Sequence, residues 1–164
     1  MKYVFDTSAV IYLLEKWGLL EKLLLFTSEN DLCIPPRVRE EFVSGDLGAS
    51  DVKNLDRVFS VVQVKLDADL LPYFNYDASD GAVWVMSYTR QNPGDCCVID
   101  EEFARDLCQF LRVRFTGCIG ILKEMHESSI ISSRELLQVK ERIRKSSFYC
   151  TGRLLKELDN CIKA

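Results

Sequence analysis

The chain has 164 residues, of which 48% are hydrophobic and 28% are charged, and its net charge at pH 7 is −4. This length and composition are typical of one globular domain with a sizeable core, and they argue against an extended or disordered chain. The negative charge argues against a protein that holds nucleic acid by bulk positive charge alone.

The seven cysteines form neither a zinc-binding nor a disulfide pattern. Their number is odd, no C-x-x-C pair occurs and only one histidine is present, so the spacing of a zinc site is absent. Several lie within apolar runs, which is typical of buried thiols in a reducing compartment. Because we find no signal peptide and no run of about 18 apolar residues, we predict a cytoplasmic protein without a membrane partner.

The first half of the chain predicts short strands that alternate with helices. Apolar β-branched runs predict the strands, and apolar residues at helical spacing predict the helices. Pro36 opens one helix, because proline is favoured at the first helical position. In chain order we predict a strand over 3–5, helices over 8–16 and 19–26, a strand over 31–34, a helix from Pro36 to about Gly45, a loop over 46–51 with a short helix after Ser50, a strand over 58–64 and a short helix over 66–74.

The second half continues this alternation and ends in helices. In chain order we predict a helix over 80–89, a turn over 91–95, a strand over 96–99, a helix over 102–111, a strand over 113–116 and helices over 118–127, 133–145 and 151–162. Strands that alternate with helices imply a mostly parallel sheet with helices on both faces. The predicted fold class is therefore α/β.

Two acids directly follow predicted strands. Asp6 ends the apolar run of the first strand, and Asp100 repeats the same order of strand, acid and helix. Open α/β sheets bind their ligands at the carboxyl ends of strands, so both acids are candidates for a binding pocket. Asp6 has a second interpretation as the N-cap of the next helix; Thr7 or Ser8 would be the cap if Asp6 faces the pocket.

A third candidate acid comes from the helix that Pro36 opens. Val38 and Phe42 lie four residues apart and mark the buried face of this helix. Glu41 lies at the edge of that face, whereas Glu40 points elsewhere. We therefore choose Glu41 for the pocket.

The fourth candidate acid lies at the start of the helix over 80–89. Asp80 is preferred for the pocket. Asp77 is the alternative to Asp80 in the site, and its other interpretation is a helix cap. Glu101 and Glu102, which follow Asp100, are interpreted as first-turn acids that the helix dipole favours.

Together these four acids predict a divalent-metal site. Two carboxylates 4 Å apart repel by roughly 4 kcal/mol at an effective dielectric constant near 20, so a cluster of them binds either protons or a cation. Oxygen ligands without histidine or cysteine favour Mg²⁺ or Mn²⁺. Such ions orient water and stabilise charge on a phosphodiester, which predicts metal-assisted phosphodiester hydrolysis.

The chain resembles a PIN-domain ribonuclease of the prokaryotic toxin-like group in five segments that occur in the family's order. These segments are Val4–Ile11, Val38–Gly45, Asp80–Val83, Val98–Arg105 and Thr116–Leu122. The resemblance implies a Rossmann-like three-layer α/β/α sandwich with a mostly parallel central sheet. We expect a nuclease domain over residues 1–127 and a C-terminal helical extension over 128–164 that packs on the same domain.

The resemblance also implies a metal site and an activity. It implies that Asp6, Glu41, Asp80 and Asp100 hold Mg²⁺ or Mn²⁺ and are the catalytic residues. The implied reaction is endonucleolytic cleavage of single-stranded RNA, as in the toxin of a toxin–antitoxin pair. The implied partners are therefore single-stranded RNA, an antitoxin protein and a second copy of the chain in a homodimer.

Supporting roles are expected for residues around these acids. The resemblance implies that Thr7 or Ser8 hydrogen-bonds a site carboxylate, and Arg105 is expected either to hold a phosphate or to pair with Glu101 or Glu102. Cys118 stands where the family usually has a hydroxyl residue. This departure favours the alternative function, a catalytically weak PIN-like module for RNA binding or assembly.

Overall fold

A parallel sheet of five strands runs through the described part of the chain, which in this computed structural model comprises residues 1–45, 49–73, 79–149 and 151–163. The spatial order of the strands is β3–β2–β1–β4–β5, and each neighbouring pair is parallel. The strands are β1 (Lys2–Phe5), β2 (Asp31–Ile34), β3 (Ser60–Val61), β4 (Cys96–Val98) and β5 (Phe115–Thr116).

Helices connect the strands and follow the last of them. They are α1 (Thr7–Val10), a π-helical segment (Ile11–Lys16), α2 (Leu20–Phe26), α3 (Pro36–Ser44), α4 (Ala49–Val58), a 3-10 turn (Leu71–Tyr73), α5 (Asp80–Gln91), α6 (Glu102–Phe110), α7 (Cys118–Glu127), α8 (Ser133–Lys145) and α9 (Gly152–Lys163). The predicted α/β class, with a three-layer Rossmann-like arrangement, is confirmed.

The central strands are apolar on both faces. Val4 and Phe5 in β1 and Cys97 and Val98 in β4 are fully buried, as expected where helices cover both faces of a parallel sheet. The described cysteines are also mostly buried, namely Cys33, Cys96, Cys97, Cys108 and Cys118. No helix among the described residues has both the length and the apolar character that crossing a membrane would require.

The strand order reverses between β1 and β4. Consecutive connections run outward through β2 and β3, and the chain then returns to the other side of β1 to form β4 and β5. Phe5 pairs with Val98 across this junction, so the two strands end side by side. In open α/β sheets a crevice forms at such a reversal, and Asp6 and Asp100 follow the two strands that border it.

Two predictions of local structure between residues 58 and 74 are wrong. The expected strand over 58–64 is only β3, because Val58 completes α4 and the chain leaves the edge of the sheet after Val61. The expected helix over 66–74 is a 3-10 turn at Leu71–Tyr73, and Phe74 lies outside the described residues. Pro72 lies within this turn, and proline disfavours a continuing α-helix.

The predicted helix over 8–16 is also not a regular α-helix. After the short α1, the chain continues as a π-helix, in which Trp17 N donates to Tyr12 O at 2.8 Å. This wider turn places Trp17 in the core, where it is fully buried. The predicted loop over 46–51 also ends early, because α4 begins at Ala49; residues 46–48 lie outside the described part of the chain.

The last two helices pack on the same core as the sheet. Ser132 and Glu135 form a capping box that begins α8, which satisfies exposed backbone donors of the first turn. Lys140 on α8 forms an ion pair with Asp159 on α9. The core includes buried residues of both helices: Leu136, Val139, Ile143 and Leu158. The division into residues 1–127 and 128–164 stays a prediction.

Candidate active site

Asp6 lies directly after β1 and is almost fully buried, with 2% of its surface exposed. Its Oδ1 accepts hydrogen bonds from Ala9 N at 2.9 Å and from Ser8 Oγ at 3.1 Å. Asp6 is therefore the N-cap of α1, and neither Thr7 nor Ser8 replaces it as the cap. The role of Asp6 in a binding pocket stays a prediction.

Asp100 lies two residues after β4, and its two carboxylate oxygens have different surroundings. Its Oδ1 accepts a hydrogen bond from Cys118 N at 2.9 Å, whereas its Oδ2 is buried without a hydrogen-bond partner among the described residues. A Cβ on Gly117 would lie 2.5 Å from Asp100 Oδ1, so glycine is needed for this close approach. A buried oxygen without a partner is costly unless a ligand or cation satisfies it.

Asp6 and Asp100 interact electrostatically. Burial raises the pKa of Asp6 to about 7, and the charges of Asp100 and Glu101 contribute to the increase, whereas the hydrogen bonds from Ala9 and Ser8 oppose it. Burial also raises the pKa of Asp100. Two buried carboxylates that both resist ionisation favour a shared cation or a shared proton.

Cys118 lies beside this pair of acids. Burial, followed by the charges of Asp100 and Asp6, raises the pKa of its thiol well above the usual range. The thiol is therefore neutral, and it lies 3.8 Å from the carbonyl oxygen of Ala9. Both the thiol and the backbone N–H of Cys118 interact with Asp100, and each opposes the increase in the pKa of that carboxyl.

Glu41 and Asp80 form a second pair, which Arg37 bridges. Arg37 Nη2 lies 2.7 Å from Asp80 Oδ2, and Arg37 Nε lies 3.3 Å from Glu41 Oε1. Thr7 Oγ1 donates a hydrogen bond to Glu41 Oε2. These two acids therefore already have a positive partner, whereas the nearby charge of Arg105 only opposes the increase in the pKa of Asp100.

The two pairs meet through Thr7 and the first turn of α5. Thr7 follows Asp6 in the chain and bonds Glu41. A Cβ on Gly81 would lie 2.9 Å from Thr7 Oγ1 and 3.2 Å from Glu41 Oε2, so glycine allows α5 to approach α1 and α3 closely. Ser79 caps α5 by accepting from Ala82 N at 3.3 Å, so Asp80 is not the cap. Asp77 lies outside the described residues.

The carboxylate oxygens of Asp6 and Asp100 are donor atoms that suit a hard divalent cation, and Asp100 Oδ2 is buried without a hydrogen-bond partner among the described residues. Within residues 1–45, 49–73, 79–149 and 151–163, no group of three or more His, Cys, Asp and Glu side chains is arranged to hold a metal ion. The assignment of the four acids to one metal site therefore stays a prediction, and the positive charge of Arg37 already offsets part of the negative charge of Glu41 and Asp80.

Two residues near the site were not identified as candidates from the sequence. Arg37 lies four positions before Glu41, a spacing at which helical side chains interact, so a local signal for this pair exists. Glu101 is not simply a first-turn acid, because its Oε2 accepts from Ser79 N at 3.3 Å. This contact joins α6 to α5 and has no local sequence signal.

Arg105 lies near the site but does not pair with either of the acids proposed for it. Its Nη1 donates to Ile99 O at 3.3 Å, and its guanidinium lies 5.2 Å from the centre of the Phe115 ring. Among the ion pairs of the described residues, none joins Arg105 to Glu101 or Glu102, so that expectation is wrong. Contact with a phosphate stays a prediction.

Comparisons with known proteins agree with the fold. A family model described as "DUF3368: PIN domain" matches residues 2–162. A solved structure of a PilT N-terminus domain protein from the hyperthermophilic archaeon Sulfolobus solfataricus P2 is similar, with a TM-score of 0.53 and 13% identity, over 77% of this chain and 95% of that one. At this identity the structure supports the fold alone. No curated protein matches the chain.

Proposed function

Since the chain belongs to the PIN-domain family DUF3368, whose domains are typically nucleases that depend on divalent metal ions, we propose that it is a metal-dependent endoribonuclease that cleaves single-stranded RNA. The observation that carries this proposal is the pair of buried acids, Asp6 and Asp100, at the reversal of strand order. The charge of Asp100 contributes to the raised pKa of Asp6, and Asp100 Oδ2 has no hydrogen-bond partner among the described residues.

Asp6 and Asp100 are the residues that would hold Mg²⁺ or Mn²⁺. When bound, such an ion would lower the pKa of a water molecule and stabilise negative charge on the phosphodiester. The chain itself fixes both carboxylates before binding, because Ala9 N and Ser8 Oγ orient Asp6 and Cys118 N orients Asp100. The choice between Mg²⁺ and Mn²⁺, the toxin role, an antitoxin and a homodimer all stay predictions.

We expect Asp100→Asn to lower Mn²⁺-dependent cleavage of a fluorescent single-stranded RNA by about 100-fold or more, because the variant loses a charge that holds the ion. The asparagine oxygen can still accept from Cys118 N, so the local fold is retained. The measurement is the initial rate of cleavage with Mn²⁺ in excess. Asp31→Asn is the matched control, because Asp31 is the first residue of β2 and lies at the amino ends of the parallel strands, whereas Asp100 follows the carboxyl end of β4. Full activity of Asp100→Asn would contradict the proposal.

A second candidate function, a catalytically weak RNA-binding module, is favoured by the contacts of Arg37. Its guanidinium lies within 3.3 Å of both Glu41 and Asp80, and this charge opposes a second cation there. The same assay separates the candidates when Arg37→Gln is included, with Arg39→Gln, which breaks an ion pair with Asp56, as its control. Cleavage by the wild type supports the nuclease. Cleavage by the Arg37→Gln variant but not by the wild type supports the weak module.

A further inference from the structure

Two adjoining cavities lie beside Asp100, on the side of the site where the chain enters α9. Their volumes are about 240 and 220 Å³, and both are lined by Asp100, Arg105 and Leu154. We call these two cavities the Asp100 groove. Because a candidate metal-binding acid lies where the two cavities meet, a molecule in the groove would reach the site directly.

An exposed aromatic side chain lines the first of these cavities. Tyr149 is 84% exposed, so its ring contributes little to the packing of the chain. The neighbouring Phe148 is well anchored, since its ring lies edge-on to Tyr12 and Trp17 at 4.8 and 5.0 Å between centroids. Tyr12 also contacts Ser147 through their hydroxyl groups at 3.1 Å. Tyr149 is therefore held at the groove by its neighbour, while its own ring is exposed.

The charges of the groove would repel nucleic acid unless a cation is bound. The first cavity is lined by one basic side chain, Arg105, and by three acidic ones, Asp100, Glu102 and Asp106, so acidic groups outnumber basic groups by two. In the second cavity Lys123 is 3.4 Å from Glu157 and is neutralised by it. One divalent ion beside Asp100 would cancel the excess in the first cavity, so binding of an anionic strand should require the metal.

We propose that the Asp100 groove binds one unpaired nucleotide of single-stranded RNA, with its base stacked on Tyr149 and its phosphate at Arg105. Aromatic rings bind unpaired bases regardless of sequence, because every base has a π-face. Arg105 is the guanidinium that both cavities share. This inference rests on the proposed function, and it assigns the C-terminal segment around Tyr149 a role in binding substrate.

The test is fluorescence anisotropy of a short labelled single-stranded RNA, with and without Ca²⁺, a cation that suits the same oxygen donors. Tyr149→Ala should bind about tenfold more weakly than wild type in Ca²⁺, because it loses the stacked base. Tyr149→Phe keeps the ring and should bind like wild type. Phe110→Ala is the matched control: Phe110 is 80% exposed and lies at the far end of α6, about 12 Å from Glu102.

Two results would overturn the inference: Tyr149→Ala binding as tightly as wild type, or a duplex of the same RNA binding as tightly as the single strand. Calorimetric titration of wild type and Tyr149→Ala with Mn²⁺ separates this failure from that of the proposed function. Equal Mn²⁺ binding with no effect of Tyr149→Ala on RNA contradicts the groove alone. Absence of Mn²⁺ binding to wild type contradicts the proposed function and the groove together.

Discussion

Asp6→Asn is expected to stabilise the metal-free protein at pH 8, although it should abolish Mn²⁺-dependent cleavage. The pKa of Asp6 is about 7 in the folded protein and 3.8 in an ordinary environment. Between these values the folded state binds a proton that the unfolded state does not, so the free energy of unfolding falls as the pH rises from about 4 to 7. The two pKa values correspond to about 4 kcal/mol of lost stability at pH 8.

Asparagine removes this buried charge and keeps the cap, because its side-chain oxygen can accept from Ala9 N as well as the carboxylate does. Urea denaturation in EDTA at pH 5 and pH 8 measures the effect. We expect wild type to lose stability between these pH values and Asp6→Asn to lose much less. Asp31→Asn should follow wild type. A less stable Asp6→Asn protein at pH 8, or wild-type stability that does not change with pH, would contradict the electrostatic description of the site.

Gly117→Ala is expected to destabilise the protein by about 1–3 kcal/mol, as overpacked variants do, and to weaken Mn²⁺ binding. The new Cβ would lie 2.5 Å from Asp100 Oδ1 and 2.6 Å from Arg105 Nη1. The backbone of Gly117 has φ −120° and ψ −179°, which alanine adopts without strain. The effect therefore comes only from displacement of the two side chains.

Thermal denaturation and Mn²⁺ titration of Gly117→Ala measure these two effects. Gly94→Ala is the matched control, because a Cβ on Gly94 would meet no atom within 4 Å. If Gly117→Ala matched Gly94→Ala in both measurements, the close packing of Gly117 against Asp100 would not matter for the site.

The sequence was sufficient to predict the two strands, β1 and β4, that the candidate acids follow, because both depend on local patterns. Asp6 and Asp100 each follow a buried strand, and this order of strand, acid and helix places both at one edge of a parallel sheet. The two acids can lie close together only if β1 and β4 are neighbours in the sheet, and the strand order makes them neighbours. The helices α5 to α8 were likewise predicted within one or two residues, because each has a strong apolar pattern and clear boundaries.

The contacts between elements could not be predicted in this way. Arg37 bridges Glu41 and Asp80 because α3 and α5 pack together, so the charge balance of the site depends on a distance between helices. Glu101 reaches Ser79 for the same reason. The length of β3 was also not predictable from its local pattern. The β-branched run predicted a long strand, but Val58 is buried as the last residue of α4 and Phe59 is buried directly after it.

Calorimetric titration of Mn²⁺ into wild type, Asp6→Asn, Asp100→Asn and the double variant tests most directly whether the two acids share one ion. We predict that wild type binds Mn²⁺, that each single variant loses most of the affinity, and that the double variant loses little more than either, because residues that hold one ligand are not additive. Wild-type affinity in both single variants, or losses that add independently, would contradict a shared site at Asp6 and Asp100.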